Sequence, residues 1–258
     1  MNRLKEIYEY REMIFCLVHR DLRGRYKGSA LGFAWTFLNP LLQLIVYSIV
    51  FSNILRAGIE QFYLFLFVAL VPWMFFASSL TGGATSVIAQ GNLVKKIYFP
   101  REILPISFVT TCFVNMLYTF IVVFFVLLVS GKRISFVACL YLPPVMFVEY
   151  ILALGFAMLS SALTVYLRDL QHILDIIAMI WMYLTPILYP ITIVPPKFLP
   201  FFMLNPMTPV IEAYRSILYS ATVPHLSTLI HAFIMGTLVL FFGWFIFHKL
   251  QRHFAEEL

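Results

Sequence analysis

Apolar positions along the chain gather into six long blocks, separated by short polar or proline-rich stretches. The blocks cover residues 32–55, 62–82 or a little beyond, 105–129, 136–163, 174–190 and 226–247. Each reaches the length an α-helix needs to cross hydrocarbon. Ahead of them Leu4, Ile7, Tyr8, Ile14, Phe15, Val18 and Leu22 recur at helical spacing, with Arg3, Lys5, Glu6, Glu9 and Glu12 mostly on the other side. This pattern predicts an amphipathic helix lying on a surface. Periodicity does not separate the membrane interface from the face of a partner protein.

The stretch between the fifth and sixth blocks, residues 191–225, breaks the pattern. Pro195, Pro196, Pro200, Pro206, Pro209 and Pro224 stand among Phe198, Phe201, Phe202 and Met203. The segment is too apolar for a solvated loop and too rich in proline for a straight span, so short re-entrant helices are expected. Irregular backbone at membrane depth is tolerated where protein covers it or where it lines a wet cavity, which points to a translocation path. The chain shows no internal repeat, which disfavours an inverted-repeat secondary transporter.

The predicted fold is an all-α integral membrane protein with six transmembrane helices, an N-terminal amphipathic interface helix, and re-entrant helices between spans five and six. Its parts are an interface segment over residues 1–30, a transmembrane domain over 31–250 and a tail over 251–258. Composition agrees: 62% of residues are hydrophobic and 12% charged, about half the charge of soluble domains. With 258 residues, six spans leave no room for a large soluble domain. An energy-coupling enzyme is therefore expected on another chain. The first 30 residues mix acids with bases, and the apolar run after them is too long for a signal peptide and lacks a cleavage site. It reads as an uncleaved first span.

Charge then sets the orientation. Six crossings return both termini to one side, which holds thirteen of the 18 Lys and Arg residues; Arg56, Lys132, Arg133, Lys197 and Arg215 fall on the other. The positive-inside rule makes both termini cytoplasmic. The formal charge of +6 follows from this topology, because the basic residues sit beside apolar spans and are not interleaved with aromatics on a soluble face. Nucleic acid is not expected as a partner. Cys16, Cys112 and Cys139 fall one in the cytosol and two within spans, so no disulfide framework is expected.

Several residues stand out as candidates for function. Lys95-Lys96-Ile97-Tyr98-Phe99-Pro100-Arg101-Glu102 lies in the cytosolic connection between spans two and three. It reads as a topology-setting loop or as a short coupling helix that fits a groove on a soluble partner; Tyr98 and Phe99 favour the second. Arg168-Asp169 ends the fourth span, as an interface anchor or a partner contact. Glu149 lies near the middle of that span, where an acid is costly unless paired or hydrated; it either touches substrate, bonds between subunits or faces a wet cavity. Glu212 and Arg215, three apart, read as a local pair. Trp73, Phe75, Phe76, Tyr183, Tyr189, Phe198, Phe201, Phe202, Tyr214 and Tyr219 collect toward the outer side, suited either to sliding contact with sugars or to belt and lipid packing.

Enzyme chemistry finds no footing. Gly131-Lys132 lacks the earlier glycine and the following Ser or Thr of a phosphate loop, no HExxH pair occurs among the six histidines, and no CxxC among the cysteines. The chain is not expected to hydrolyse ATP, hold a metal or carry a cofactor.

At Arg20-Asp21-Leu22 with Arg25-Tyr26, Leu31-Gly32, Trp35 and Asn39-Pro40, the sequence resembles the membrane subunits of type-2 ABC exporters of bacterial surface polysaccharide. The resemblance runs through Phe99-Pro100, Tyr166-Leu167-Arg168-Asp169, Pro186-Ile187-Leu188-Tyr189-Pro190, Asn205-Pro206 and Glu212-Ala213-Tyr214-Arg215, and covers the whole chain. It implies a homodimer of six-span subunits in the bacterial inner membrane, each bound to a separate nucleotide-binding ATPase subunit that carries the ATP and Mg. The implied cargo is a polysaccharide on a lipid pyrophosphate: O antigen first, or capsule or teichoic acid. Coupling to the ATPase is then expected at Arg20, Asp21, Arg23, Lys95, Lys96, Tyr98, Phe99, Arg101, Glu102, Arg168 and Asp169. Arg25 and Lys27, with Arg20 and Arg23 beside them, are expected to guide the pyrophosphate. Glu149 and the outer aromatics would line the glycan channel. Two other readings stay open: a type-2 exporter of a small lipid, drug or antibiotic, and a membrane-embedded glycosyltransferase or lipid phosphatase. The last needs acidic or histidine clusters at the interface that the sequence does not display.

Overall fold

The computed structural model describes residues 3–24, 31–50 and 59–258. Among these every regular element is helical: α1 (Arg3–Glu9), α2 (Arg11–Gly24), α3 (Trp35–Ser48), α4 (Phe62–Thr85), α5 (Gly91–Lys96), α6 (Ile103–Val129), α7 (Phe136–Cys139), α8 (Leu142–Tyr166), α9 (Leu170–Leu184), α10 (Leu199–Leu204), α11 (Met207–Leu218), α12 (Leu226–Leu250) and α13 (Phe254–Glu257). Arg25, Lys27 and residues 51–55 of the first predicted span lie outside the described residues.

Four of the described helices are long and apolar enough to cross a membrane: Phe62–Thr85, Ile103–Val129, Phe136–Tyr166 and Leu226–Glu257. Trp35–Val46 and Leu170–Leu184 are shorter apolar helices. The second, third and sixth predicted blocks match α4, α6 and α12 within a few residues. The block 136–163 resolves into two helices with a turn at Leu140 and Tyr141, ahead of Pro143 and Pro144, which suit the first turn of a helix. The block 174–190 shifts: the helix starts at Leu170 and stops at Leu184, because Pro186 and Pro190 cannot continue it. Residues 185–190 form a non-helical strap instead.

Helix α4 is the axis of the packing, buried along most of its length between α6, α8 and α9. Its sequence is apolar on all sides, which suits a helix with protein all round. Helix α8 lies between α4 and α12, and small residues set its distance from both. A Cβ on Gly83 would lie 2.8 Å from the Cβ of Ala157, and one on Gly155 would lie 2.6 Å from the Leu240 nitrogen. Gly243 meets the Gly155 carbonyl, again with no space for a side chain. In lipid there is no hydrophobic drive between helices, so close backbone contact of this kind, with its dispersion energy, holds them. The Ser160 hydroxyl adds a bond to the Leu80 carbonyl at 3.1 Å, across α8 and α4. Helix α12 buries one stripe, Ala232, Gly236, Gly243 and Phe247, and exposes Phe233, Leu238, Phe241, Phe242 and Phe245.

A second, smaller core sits where α2 packs on α6. Leu17 of α2 joins Val87, Val94, Phe99, Ile103, Leu104, Phe247 and Phe254. Tyr8 and Phe15, on the other side of the N-terminal helices, are exposed.

Candidate functional site

Polar side chains concentrate in two knots at opposite ends of the apolar bundle. The first joins the segment after α5 to the end of α12. Lys95 and Lys96 close α5 and are exposed; beyond them the chain is extended through residues 97–100 and turns at Arg101 and Glu102. The expected coupling helix therefore carries the two lysines but not the aromatics. Tyr98 is 80% exposed, whereas Phe99 is 4% exposed and belongs to the second core.

Glu102 is fully buried, and what faces it is the C-terminal segment. Gln251 Nε2 donates to Glu102 Oε1 at 3.0 Å, and His248 Nδ1 lies 3.8 Å from the same oxygen. Arg101 donates to the Gln251 carbonyl and stacks over the Phe254 ring. Tyr166, at the end of α8, donates to the Leu250 carbonyl at 2.9 Å. A groove of about 340 Å3 lies between Ile97, Tyr98, Phe99, Arg101, His248, Gln251 and Arg252. Sequence reasoning treated residues 251–258 as a bare tail and missed Gln251 and Phe254. The signal was present, since Phe247, Leu250 and Phe254 continue the apolar spacing of the last helix past its predicted end.

Two further coupling candidates stand beside this knot. Arg20 donates to Asp21 Oδ1 at 3.0 Å and to Gln90 Oε1 at 3.4 Å, so α2 touches the turn before α5. Tyr98 reaches Glu6 at 3.5 Å and Tyr10 donates to the Tyr98 carbonyl at 3.4 Å. Arg23, Arg168 and Asp169 are exposed, the last two in the turn between α8 and α9.

The second knot forms around Arg215 on α11, which is 4% exposed. Its Nη1 donates to the carbonyls of Pro186 and, at 3.3 Å, Tyr189, and to Glu212 Oε1 at 3.2 Å; Nη2 donates to the Ile187 carbonyl at 2.6 Å. The guanidinium also lies 3.6 Å over the Phe65 ring of α4. One buried cation thus fixes the strap 185–190, whose carbonyls have no helix to bond within. The expected Glu212 pair is present but is a minor part of the arrangement. Asn205 closes the strap from its other side, accepting from Trp181 Nε1 at 2.9 Å and donating to Thr185 Oγ1 at 2.9 Å. The Tyr219 hydroxyl donates to the Glu60 carbonyl at 2.6 Å, and Lys132 sits 3.8 Å over its ring.

Between the knots Glu149 is fully buried and accepts from the Tyr214 hydroxyl at 2.7 Å, with Phe120 stacked on the tyrosine. The aromatic set divides by burial. Trp73, Phe75, Phe76 and Tyr214 are inside the chain's own packing, with Phe76 edge-on to Trp181 and Phe156. Tyr183, Phe198 and Phe201 are on the surface, while Tyr189, Phe202 and Tyr219 are half-buried. Tyr189 donates to the Tyr183 carbonyl at 2.6 Å and packs edge-on against Phe202.

This fold defines a class: a protein helical in every regular element of its described residues, with four helices long and apolar enough to cross a membrane. Within that class the chain belongs to the ABC-2 type transporter family, whose profile matches residues 12–219. It is 33% identical over 257 residues to the O-antigen export system permease protein RfbA of Myxococcus xanthus, covering 99% of this chain and 98% of that protein. To the O-antigen export system permease protein RfbA of Klebsiella pneumoniae it is 32% identical, covering 96% and 95%. A more distant likeness, 21% identity over 76% of this chain and 77% of the relative, joins it to the polysialic acid transport protein KpsM of Escherichia coli. The family name carries a transport function, that of a membrane subunit of an ABC transporter.

Proposed function

We propose that this chain is the membrane subunit of an ATP-driven exporter that carries lipid-linked surface polysaccharide, O antigen first, from the cytoplasm across the bacterial inner membrane. The observation that carries this reading is the match of nearly the whole chain to O-antigen export permeases of two genera. Two copies enclose the channel, and each binds a separate ATPase subunit that holds ATP and Mg; this chain needs no cofactor of its own.

Six crossings follow, at α3, α4, α6, α7 with α8, α9, and α12. Helix α9 has 15 residues and rises about 22 Å, short of the hydrocarbon thickness, and the strap after it supplies the remainder. Helices α10 and α11 form the re-entrant pair within 191–225. Both termini are cytoplasmic, so the interface segment 1–30, the first knot and the tail 251–258 face the cytosol, and the Arg215 knot faces outward.

The ATPase subunit docks on Lys95, Lys96 and Tyr98, whose exposure supports the assignment, flanked by Arg20, Asp21, Arg23, Arg168 and Asp169. Phe99, Arg101 and Glu102 transmit its movement into the bundle. Arg25 and Lys27 guide the lipid pyrophosphate. Tyr183, Phe198 and Phe201 offer their rings to the glycan, backed by Tyr189, Phe202 and Tyr219, and Trp73, Phe75, Phe76, Glu149 and Tyr214 shape the wall behind them.

Deleting the gene in its host is expected to leave lipid-linked glycan inside the cell and none at the surface, with export restored by the intact gene. Normal surface glycan in the deletion strain would overturn the proposal, and loss of a small exported lipid instead would assign the chain to that cargo.

A further inference from the structure

Helices α3, α4 and α6 line an open cavity of about 110 Å3 that shares no residue with either knot. A buried water needs about 10–15 Å3, so the space takes several waters or the edge of one sugar ring. Asn39, Ser78 and Asn115 line it, beside Trp35 and Phe75, and among the described residues no charged one does. The carboxamide of Asn115 is buried at both its nitrogen and its oxygen, and neither atom has a hydrogen-bond partner among the described residues. A polar group at such depth normally finds one.

Helix α3 adds a second observation. Asn39 and Gln43, one turn apart, are both exposed on a largely apolar helix, and Ser78 of α4, which lines the cavity with Asn39, is exposed too. Carboxamides turned to lipid are costly, and in membrane helices they face a partner or a wet cavity.

We infer that this cavity is a hydrogen-bonding subsite for a neutral, hydroxyl-bearing sugar unit, on a hydrated wall of the path. The inference rests on the export reading above. A carboxamide both donates and accepts, as a pair of neighbouring sugar hydroxyls does, and the rings of Trp35 and Phe75 suit the apolar face of a pyranose. The described lining offers hydroxyl and carboxamide groups and no cation, which suits the glycan and not its pyrophosphate.

The test uses the full complex in cells, with Cys16, Cys112 and Cys139 replaced by Ala. Ser78→Cys is expected to react with a cationic, membrane-impermeant methanethiosulfonate reagent, and Phe125→Cys, on an exposed apolar face of α6, is not. Labelling of Ser78→Cys should slow in cells making the polymer relative to cells lacking its first glycosyltransferase. Asn115→Leu should keep or raise the amount of complex in the membrane, yet lower export about three- to tenfold, the worth of one or two hydrogen bonds. Absent labelling, labelling indifferent to the polymer, or full export by Asn115→Leu would each overturn the subsite. Oxidative cross-linking of Asn39→Cys between copies, without labelling, would also overturn it by assigning the face to dimer packing. Surface glycan that persists when the gene is deleted would instead overturn the export reading itself.

Discussion

The Tyr214 hydroxyl donates to Glu149 Oε2 at 2.7 Å, joining α11 to the first half of α8 across 65 residues of sequence. Glu149 Oε1 is buried without a partner, so this bond is what satisfies the carboxyl group. Tyr214→Phe should therefore destabilise the protein by about 1–2 kcal/mol, since a buried polar group loses its partner in a medium with no water to replace it. Adding Glu149→Leu should recover most of that loss, because removing both partners is far less costly than removing one. Thermal unfolding of the purified protein in detergent checks both. A double variant no more stable than Tyr214→Phe would show that the carboxyl group has other partners.

Arg215 holds the strap after α9 by its carbonyls, and no other residue type offers the same fork of donors. Arg215→Lys keeps the charge but cannot reach Pro186, Ile187, Tyr189 and Glu212 together. It should lose about 2–3 kcal/mol, and Arg215→Ala about 3–5 kcal/mol, since the buried carbonyls of the strap are left without their donors. Limited proteolysis in membrane vesicles should show new cleavage within 185–198 for both variants. An unchanged digestion pattern for Arg215→Ala would mean that Asn205 alone secures the strap.

Gly155 and Gly243 predict a steric failure of a different kind. Where α8 crosses α12, Gly155 lies against the backbone of Val239 and Leu240 and Gly243 against the backbone of Gly155, so a methyl group on either meets backbone, not a flexible side chain. Gly155→Ala and Gly243→Ala should each cost at least about 2 kcal/mol, as overpacking at an unyielding contact does. Gly24→Ala, with nothing within 4 Å of the added carbon, is the neutral control. Membrane yield and melting temperature compare the three.

What could be read from the sequence was local. Spans that end abruptly in polar residues, as α4, α6 and α12 do, were found within a few residues. The pair Glu212 and Arg215 was legible because three residues bring side chains together on one helix. The remaining acceptors of Arg215 are backbone carbonyls, which have no signature in a sequence. Tyr214 and Glu149 meet only through the fold. Trp73 and Phe76 read as rings available to sugar, yet α4 is apolar on every side, so no periodicity tells which of its faces turns inward. The surface rings Tyr183, Phe198 and Phe201 lie instead in and around the strap, where prolines hold the backbone away from regular packing.

The link between Glu102 and Gln251 predicts that the last residues of the chain take part in coupling. Glu102 closes the loop that carries Lys95, Lys96 and Tyr98, and its buried carboxylate is reached by Gln251 and His248 from the end of α12. On the proposed coupling role, motion imposed on the loop would pass to α12 through this hydrogen-bonded contact, and α12 is seated on α8 along its glycine seam. Gln251→Leu removes the donor with little change in volume, while Arg101 still bonds to the backbone at that position. The expected result is normal membrane insertion, retained ATPase binding, and export reduced about tenfold, the equivalent of one charge-assisted hydrogen bond. Gln251→Asn, a shorter amide, should recover part of it. Equal export by Gln251→Leu and the parent protein, at equal expression, would mean that the loop drives α6 directly and that the C-terminal segment only packs against it.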